Sequence, residues 1–220
     1  MQNYQKYNES ATVHRGGEVS FKGLTYPLVS VSYGDVTGPT LLVTGGVHGL
    51  ERIGAELCLS LLESFHYRLQ WDQVLQQMLK KIQVVFVPLA NPVGYFETTR
   101  GNANGVDLMR NAPIEATDPV PFLIGGQNYS SKIHWYRGQE LQTETKFLCQ
   151  VVQNILLKSN CLVSLDMHSG FGFKDQLWFP FATSYKKFTQ LSEMFMLFDL
   201  FEKTNPYHVY KIEQIGRAHV

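Results

Sequence analysis

Apolar positions along this 220-residue chain recur in two periods, and the switches between them outline a fold. Short apolar runs at residues 26–32, 41–44, 82–89, 162–166, 176–181 and 208–212 predict strands. Ile53, Leu57, Leu61, Leu62 and Phe65 return at helical spacing, so residues 52–69 predict a helix. Further helices are predicted over 72–80, 141–158 and 188–203. Strands alternating with helices argue for an α/β fold: a mixed, mostly parallel central sheet with helices on both faces. Residues 111–135 contain Pro, Gly and Ser without periodicity, and predict a long loop beside a cleft.

Composition narrows the function classes. A hydrophobic content of 44% with 17% charged residues fits a globular interior, and the length fits one domain. The 19 basic and 19 acidic residues balance, and no Arg-rich tract gives the footprint of a nucleic-acid binder. Residues 1–11 are polar and lack the apolar core of a secretory signal, which points to a cytoplasmic protein. No run approaches a membrane span; the most apolar helix is interrupted by Glu193 and Asp199. Cys58, Cys149 and Cys161 show no paired spacing, as expected of reduced thiols.

The candidate chemistry sits where predicted strands end. His48 and Glu51 follow the apolar run through Gly45 and Gly46, on the loop and first turn of the first helix. Residues three apart on a helical turn face the same way, so both side chains can reach one ion. His168 leaves the strand at 162–166, followed by Ser169 and Gly170. Two imidazoles and a carboxylate, with a position left for water, are the donor set of a catalytic zinc. An H-x-x-E pair alone is weak, and a histidine at a strand end is ordinarily structural. Spacing alone leaves the two readings equally open. Asp166 lies two residues before His168, so on a strand both face the same side. It could orient that ligand, partner an arginine or cap the turn.

Between the two clusters runs an ordered set of short motifs. Asn91, Pro92, Val93, Gly94 and Tyr95 follow a strand; then come Thr99, Arg100, Gly101, Asn102, Ala103 and Asn104. Gly105, Val106, Asp107, Leu108, Met109, Arg110 and Asn111 follow. Tyr136, Arg137 and Gly138 precede Glu144 and Thr145, and Phe179 and Pro180 come late. This order, from roughly residue 28 to 214, resembles the zinc carboxypeptidase family, metallopeptidases similar to carboxypeptidase A.

The resemblance implies a zinc carboxypeptidase-like fold and a role for each matching residue. His48, Glu51 and His168 match the zinc ligands, and Asp107 matches the carboxylate behind the first histidine. Arg110 matches the arginine that grips the substrate's terminal carboxylate through its planar fork. Arg100 stands where the family places the oxyanion-stabilising arginine. Met109 departs from the family's usual Asn, which helps hold that carboxylate. Methionine cannot donate a hydrogen bond, and Asn111 is the candidate substitute.

The family's general-base glutamate lies several tens of residues beyond the last ligand, so the last part of the fold is expected to lie past residue 214. Ile215, Gly216, Arg217, Ala218, His219 and Val220 read as the translation of a common sequencing adapter. Residues 1–214 are therefore expected to form one catalytic domain, incomplete at its C-terminal side, and 215–220 a non-native tail.

The expected activity is zinc-dependent hydrolysis of the C-terminal amide bond of peptides, with residues 1–214 inactive on their own for want of that base. A zinc-dependent deacylase of N-acyl amino acids, similar to aspartoacylase and succinylglutamate desuccinylase, is the alternative, and a zinc-binding pseudoenzyme a third. The expected substrate, peptide or acyl amino acid, carries a free carboxylate.

Overall fold

A computed structural model describes residues 11–114, 125–170, 175–180 and 188–214. The expectation of a non-native tail at 215–220 lies outside the described residues, as do Phe181 and part of the predicted 111–135 loop. The chain divides into two compact units: residues 1–112 with 126–169, and 113–125 with 170–220.

The first unit is built on a five-stranded sheet of order β1-β2-β4-β3-β5. Its strands are β1 (Thr12–Phe21), β2 (Leu24–Gly34), β3 (Thr40–Gly45), β4 (Gln83–Val87) and β5 (Leu162–Met167). β1 pairs with β2 and β2 with β4 antiparallel, whereas β3 runs parallel to both β4 and β5. The sheet is therefore mixed, as the alternating pattern predicts.

Side-chain alternation sends successive residues to opposite faces, and each face has its own helix. Val29, Val31, Tyr33, Val43, Val84 and Phe86 pack with Cys58 and Leu62 of α1 (Arg52–Arg68). Leu28, Leu42, Val85 and Val87 pack with Phe147, Val151 and Ile155 of α4 (Thr143–Leu156). Two short helices complete the unit. In α2 (Gln73–Met78) the Asp72 carboxylate caps the first turn by accepting from Leu75 N at 3.0 Å; α3 (Pro92–Glu97) follows β4. Among the described residues no helix is long and apolar enough to cross a membrane.

The strand β1 was not expected from the apolar pattern. Its Gly16 and Gly17 speak against a strand, since each glycine weakens one by about 0.5–1 kcal/mol. The structure resolves the conflict. The register shifts between Arg15 and Gly17, a bulge, and the Phe147 ring of α4 lies against Gly16 where a Cβ would overlap it. Full burial of an aromatic ring contributes about 1.5–3 kcal/mol, which outweighs the penalty of the glycine that admits it.

The second unit holds β6 (Gln176–Phe179), α5 (Leu191–Thr204) and β7 (Lys211–Gln214), with β6 and β7 paired in parallel. α5 starts three residues later than the apolar pattern predicts. β7 likewise begins at Lys211, after a turn in which His208 Nε2 meets Asp175 at 2.7 Å.

Candidate metal centre

β3 and β5 are adjacent, parallel and in register, with Thr44 opposite Asp166 and Gly45 opposite Met167. The loop carrying His48 and the segment carrying His168 therefore leave the sheet side by side at the same end. Asn91, fully buried, braces that loop: its Nδ2 donates to Val47 O at 3.3 Å while its Oδ1 caps α3 through Gly94 N. Gly54, in the first turn of α1, lies against the Met167 carbonyl, where a Cβ would overlap the oxygen. This close approach draws the start of α1 onto the end of β5. Glu51 occupies the N-cap position of α1 but makes no capping bond with its side chain; its carboxylate turns to the histidines instead.

The three residues meet in one cluster, with one donor atom from each lying within 4.8 Å of the others. His48 Nδ1 is 2.8 Å from Glu51 Oε1, and His168 Nδ1 is 3.2 Å from Glu51 Oε2. The Ser169 backbone N–H also donates to Oε2 at 2.8 Å. Each imidazole turns its other nitrogen to a second carboxylate: His48 Nε2 to Asp107 at 3.1 Å, His168 Nε2 to Asp166 at 2.8 Å. Both rings thus aim Nδ1 inward and anchor Nε2 outward. A carboxylate behind each ring fixes its orientation.

The electrostatics follow from this crowding. Burial pushes the His168 imidazole down, but hydrogen bonds to Asp166 and Glu51 outweigh it and carry the pKa up to about 10. Burial likewise pushes Glu51 up, against His168, His48 and the Ser169 N–H, which together hold it far below the usual carboxylate range. A cation seated between the same atoms would face both inward nitrogens and the Glu51 carboxylate, and two imidazole nitrogens with one carboxylate suit zinc.

Asp107 is the hub of the surrounding charges. It is 2% exposed, and its Oδ1 also accepts from Met109 N at 3.0 Å, capping the 3₁₀ turn Leu108–Arg110. Its Oδ2 accepts from Arg100 Nε at 2.8 Å and lies 3.6 Å from the Arg110 guanidinium. Burial raises its pKa, yet His48 and the two arginines prevail and bring it down to about 2. Arg100 also reaches Glu51, at 3.5 Å. Burial lowers the pKa of Arg110, and Arg100 adds to that, while Asp107 opposes it.

Asn111 sits elsewhere in the bonding scheme. Its Nδ2 donates to Arg137 O and Glu140 O at 2.7 and 2.9 Å, and its Oδ1 accepts from Gln142 N and Thr145 Oγ1. Both amide hydrogens are committed, so the side chain latches the turn to α4 and has no donor left for a substrate carboxylate. This corrects the expectation that Asn111 stands in for the amide missing at Met109.

The sequence model of the zinc carboxypeptidase family matches residues 1–217. The chain belongs to the zinc carboxypeptidase family. Zinc carboxypeptidases are hydrolases that act on peptides, and the family name and the donor set point to the same metal. The catalytic chain of carboxypeptidase N from Rattus norvegicus is 28% identical over 149 residues, covering 60% of this chain and 31% of that protein. Among solved structures, thrombin-activatable fibrinolysis inhibitor superposes with a TM-score of 0.76 at 18% identity, over 97% of this chain and 56% of the other. Carboxypeptidase A from Helicoverpa armigera gives 0.73 at 16% identity, over 96% and 54%. At such identities the structures speak for the fold alone. The chain spans about a third of the length of the sequence relative and about half that of the structures.

Motif reading missed Gln142 and Asn102 as organisers of this region. Asn102 lay in plain view within a motif, but no local signal says what an Asn side chain will bond to across the fold.

Proposed function

We propose that this chain carries the metal-binding core of a zinc-dependent metallocarboxypeptidase that hydrolyses the C-terminal amide bond of peptides. The observation that supports it is the convergence of His48 Nδ1, His168 Nδ1 and the Glu51 carboxylate, flanked by Arg100 and Arg110. His48, Glu51 and His168 would hold the ion, with Asp107 and Asp166 keeping the rings in place. When bound, zinc supplies a Lewis acid for the scissile carbonyl and lowers the pKa of its water toward about 7.

The chain's own residues do the rest. Arg110 would take the free carboxylate of the substrate, and its half-buried guanidinium gives up little hydration in doing so. Arg100, braced by Asp107, would meet the oxygen on which charge develops, an effect worth roughly 3–4 kcal/mol at comparable donors. Two guanidinium groups and a divalent ion outweigh the three carboxylates, so an anionic substrate end is drawn in. No residue of the described chain is assigned the general-base role.

Two measurements test this reading. Elemental analysis should find zinc in the purified protein and lose it in His48→Ala. The zinc-loaded chain should then bind a blocked dipeptide with a free C-terminus more tightly than its amide or an N-acetyl amino acid. Absence of metal rejects the centre, and preference for the N-acetyl amino acid moves the reading to the deacylase.

A further inference from the structure

We propose that Glu144 is a positioning residue for the metal centre, holding from the core the Asn102 side chain that closes the hairpin carrying Arg100 and Asp107. The inference rests on the metal-centre reading above, and gives a role to a buried carboxyl that the chemistry does not use.

Asn102 is the clasp of a tight hairpin. Its backbone N donates to Val106 O and its O accepts from Gly105 N, both at 2.9 Å. Its side-chain Oδ1 accepts from the backbone N of Asn104 and of Val106 at 3.0 and 3.1 Å. Arg100 lies two residues before this clasp, and Asp107 follows Val106 directly. Neither can shift far while Asn102 is in place, and both touch the ligand set: Asp107 through His48, Arg100 through Glu51.

What orients the Asn102 amide comes from α4. Its Nδ2 donates to Glu144 Oε2 and to Gln142 Oε1, each at 3.1 Å. Glu144 is 1% exposed and its Oε1 has no hydrogen-bond partner among the described residues. Burial drives its carboxyl above the ordinary value, against its own backbone N–H and the Asn102 amide. A buried polar atom without a partner costs free energy, and an apolar side chain of similar size would avoid that cost. Packing therefore gives no reason for a carboxyl here; its bond to Asn102 does. The same turn of α4 also holds Asn111 through Gln142 N and Thr145 Oγ1, so both sides of Asp107 are tied to one helix end.

Cobalt titration of the full 220-residue chain, followed by visible absorption, tests the proposal alongside thermal unfolding. Glu144→Ala is expected to weaken cobalt affinity about tenfold and alter the ligand-field bands, as loss of an outer partner does. Glu144→Gln, whose amide oxygen still accepts from Asn102, is expected to restore both. A folded Glu144→Ala with unchanged affinity and spectrum would overturn the positioning role. Should Glu144→Ala not fold, Asn102→Ser decides it: weakened cobalt affinity supports the proposal, and unchanged affinity overturns it. If the unsubstituted chain binds no cobalt, the metal-centre reading fails and the proposal with it. That result is distinct from binding that ignores the substitutions.

Discussion

Asp107 stands behind His48, its Oδ1 3.1 Å from Nε2, while the other ring nitrogen faces Glu51. The carboxylate that steers this ring is itself held by Met109 N, Arg100 and Arg110. Four groups thus converge on one buried side chain, and the orientation of the His48 ring depends on all of them.

Replacing that carboxylate by an amide tests the dependence. Asp107→Asn keeps the shape but loses the charge that stands behind His48 and pairs the arginines. Zinc affinity, read by competition with a chromophoric chelator, should fall about 10–100-fold, with far-ultraviolet circular dichroism unchanged. Unaltered affinity would remove Asp107 from the centre.

The same residue makes the metal-free fold acid-sensitive. Its folded pKa is depressed to about 2, so its stabilisation is present above the usual carboxylate range and is lost as pH falls through the folded value. Urea unfolding of the metal-free chain should show about 2 kcal/mol disappearing between roughly pH 4 and 2. Asp107→Asn should flatten that segment of the profile.

Glu144 has the opposite sign. Its folded pKa is raised, so the unfolded chain releases this proton first and stability declines as pH climbs above the ordinary carboxylate range. Glu144→Gln does not titrate. Its stability relative to the parent should therefore grow with pH from about 4.5 upward, and a pH-independent difference would show that Glu144 ionises freely in the fold.

At Gly54 the prediction is steric. A methyl group there meets the Met167 carbonyl, so Gly54→Ala must part α1 from β5. Unfolding in urea should reveal a loss of about 1–3 kcal/mol, accompanied by weaker zinc binding because Glu51 and His168 sit on the two parted elements. A stable variant with full affinity would show that the approach is not needed.

Arg110 and Asn111 are adjacent yet should respond differently. Arg110→Ala should weaken binding of peptides with a free C-terminus and leave their amides unaffected. Asn111→Ala, which removes four hydrogen bonds, two of them to the buried Gln142 and Thr145, should instead lower stability by about 2 kcal/mol or more without discriminating between the two ligands.

Much of the fold was legible because local rules carried it. The apolar run at 82–89 and the helical spacing from Ile53 to Phe65 are set by neighbours within a few residues, and α1 and β4 lie where those patterns place them. β1 was hidden because Gly16 is chosen for the Phe147 ring, which arrives from far along the chain. Asn111 misled for a similar reason. Its place in a substrate-binding motif says nothing of Thr145 and Glu140, which take up its amide.

Reading the residues one after another was enough for the order of elements, the donor types and the strand exits on which they sit. Those depend on side-chain chemistry and periodicity, which are written residue by residue. Long-range packing makes β3 and β5 neighbours in parallel register, turns both imidazoles with Nδ1 inward, and sets α4 as the clamp on the hairpin behind them. Those are pairings between segments about a hundred residues or some forty residues apart. They are selected by burial and hydrogen-bond satisfaction across the whole core, and no local stretch encodes them.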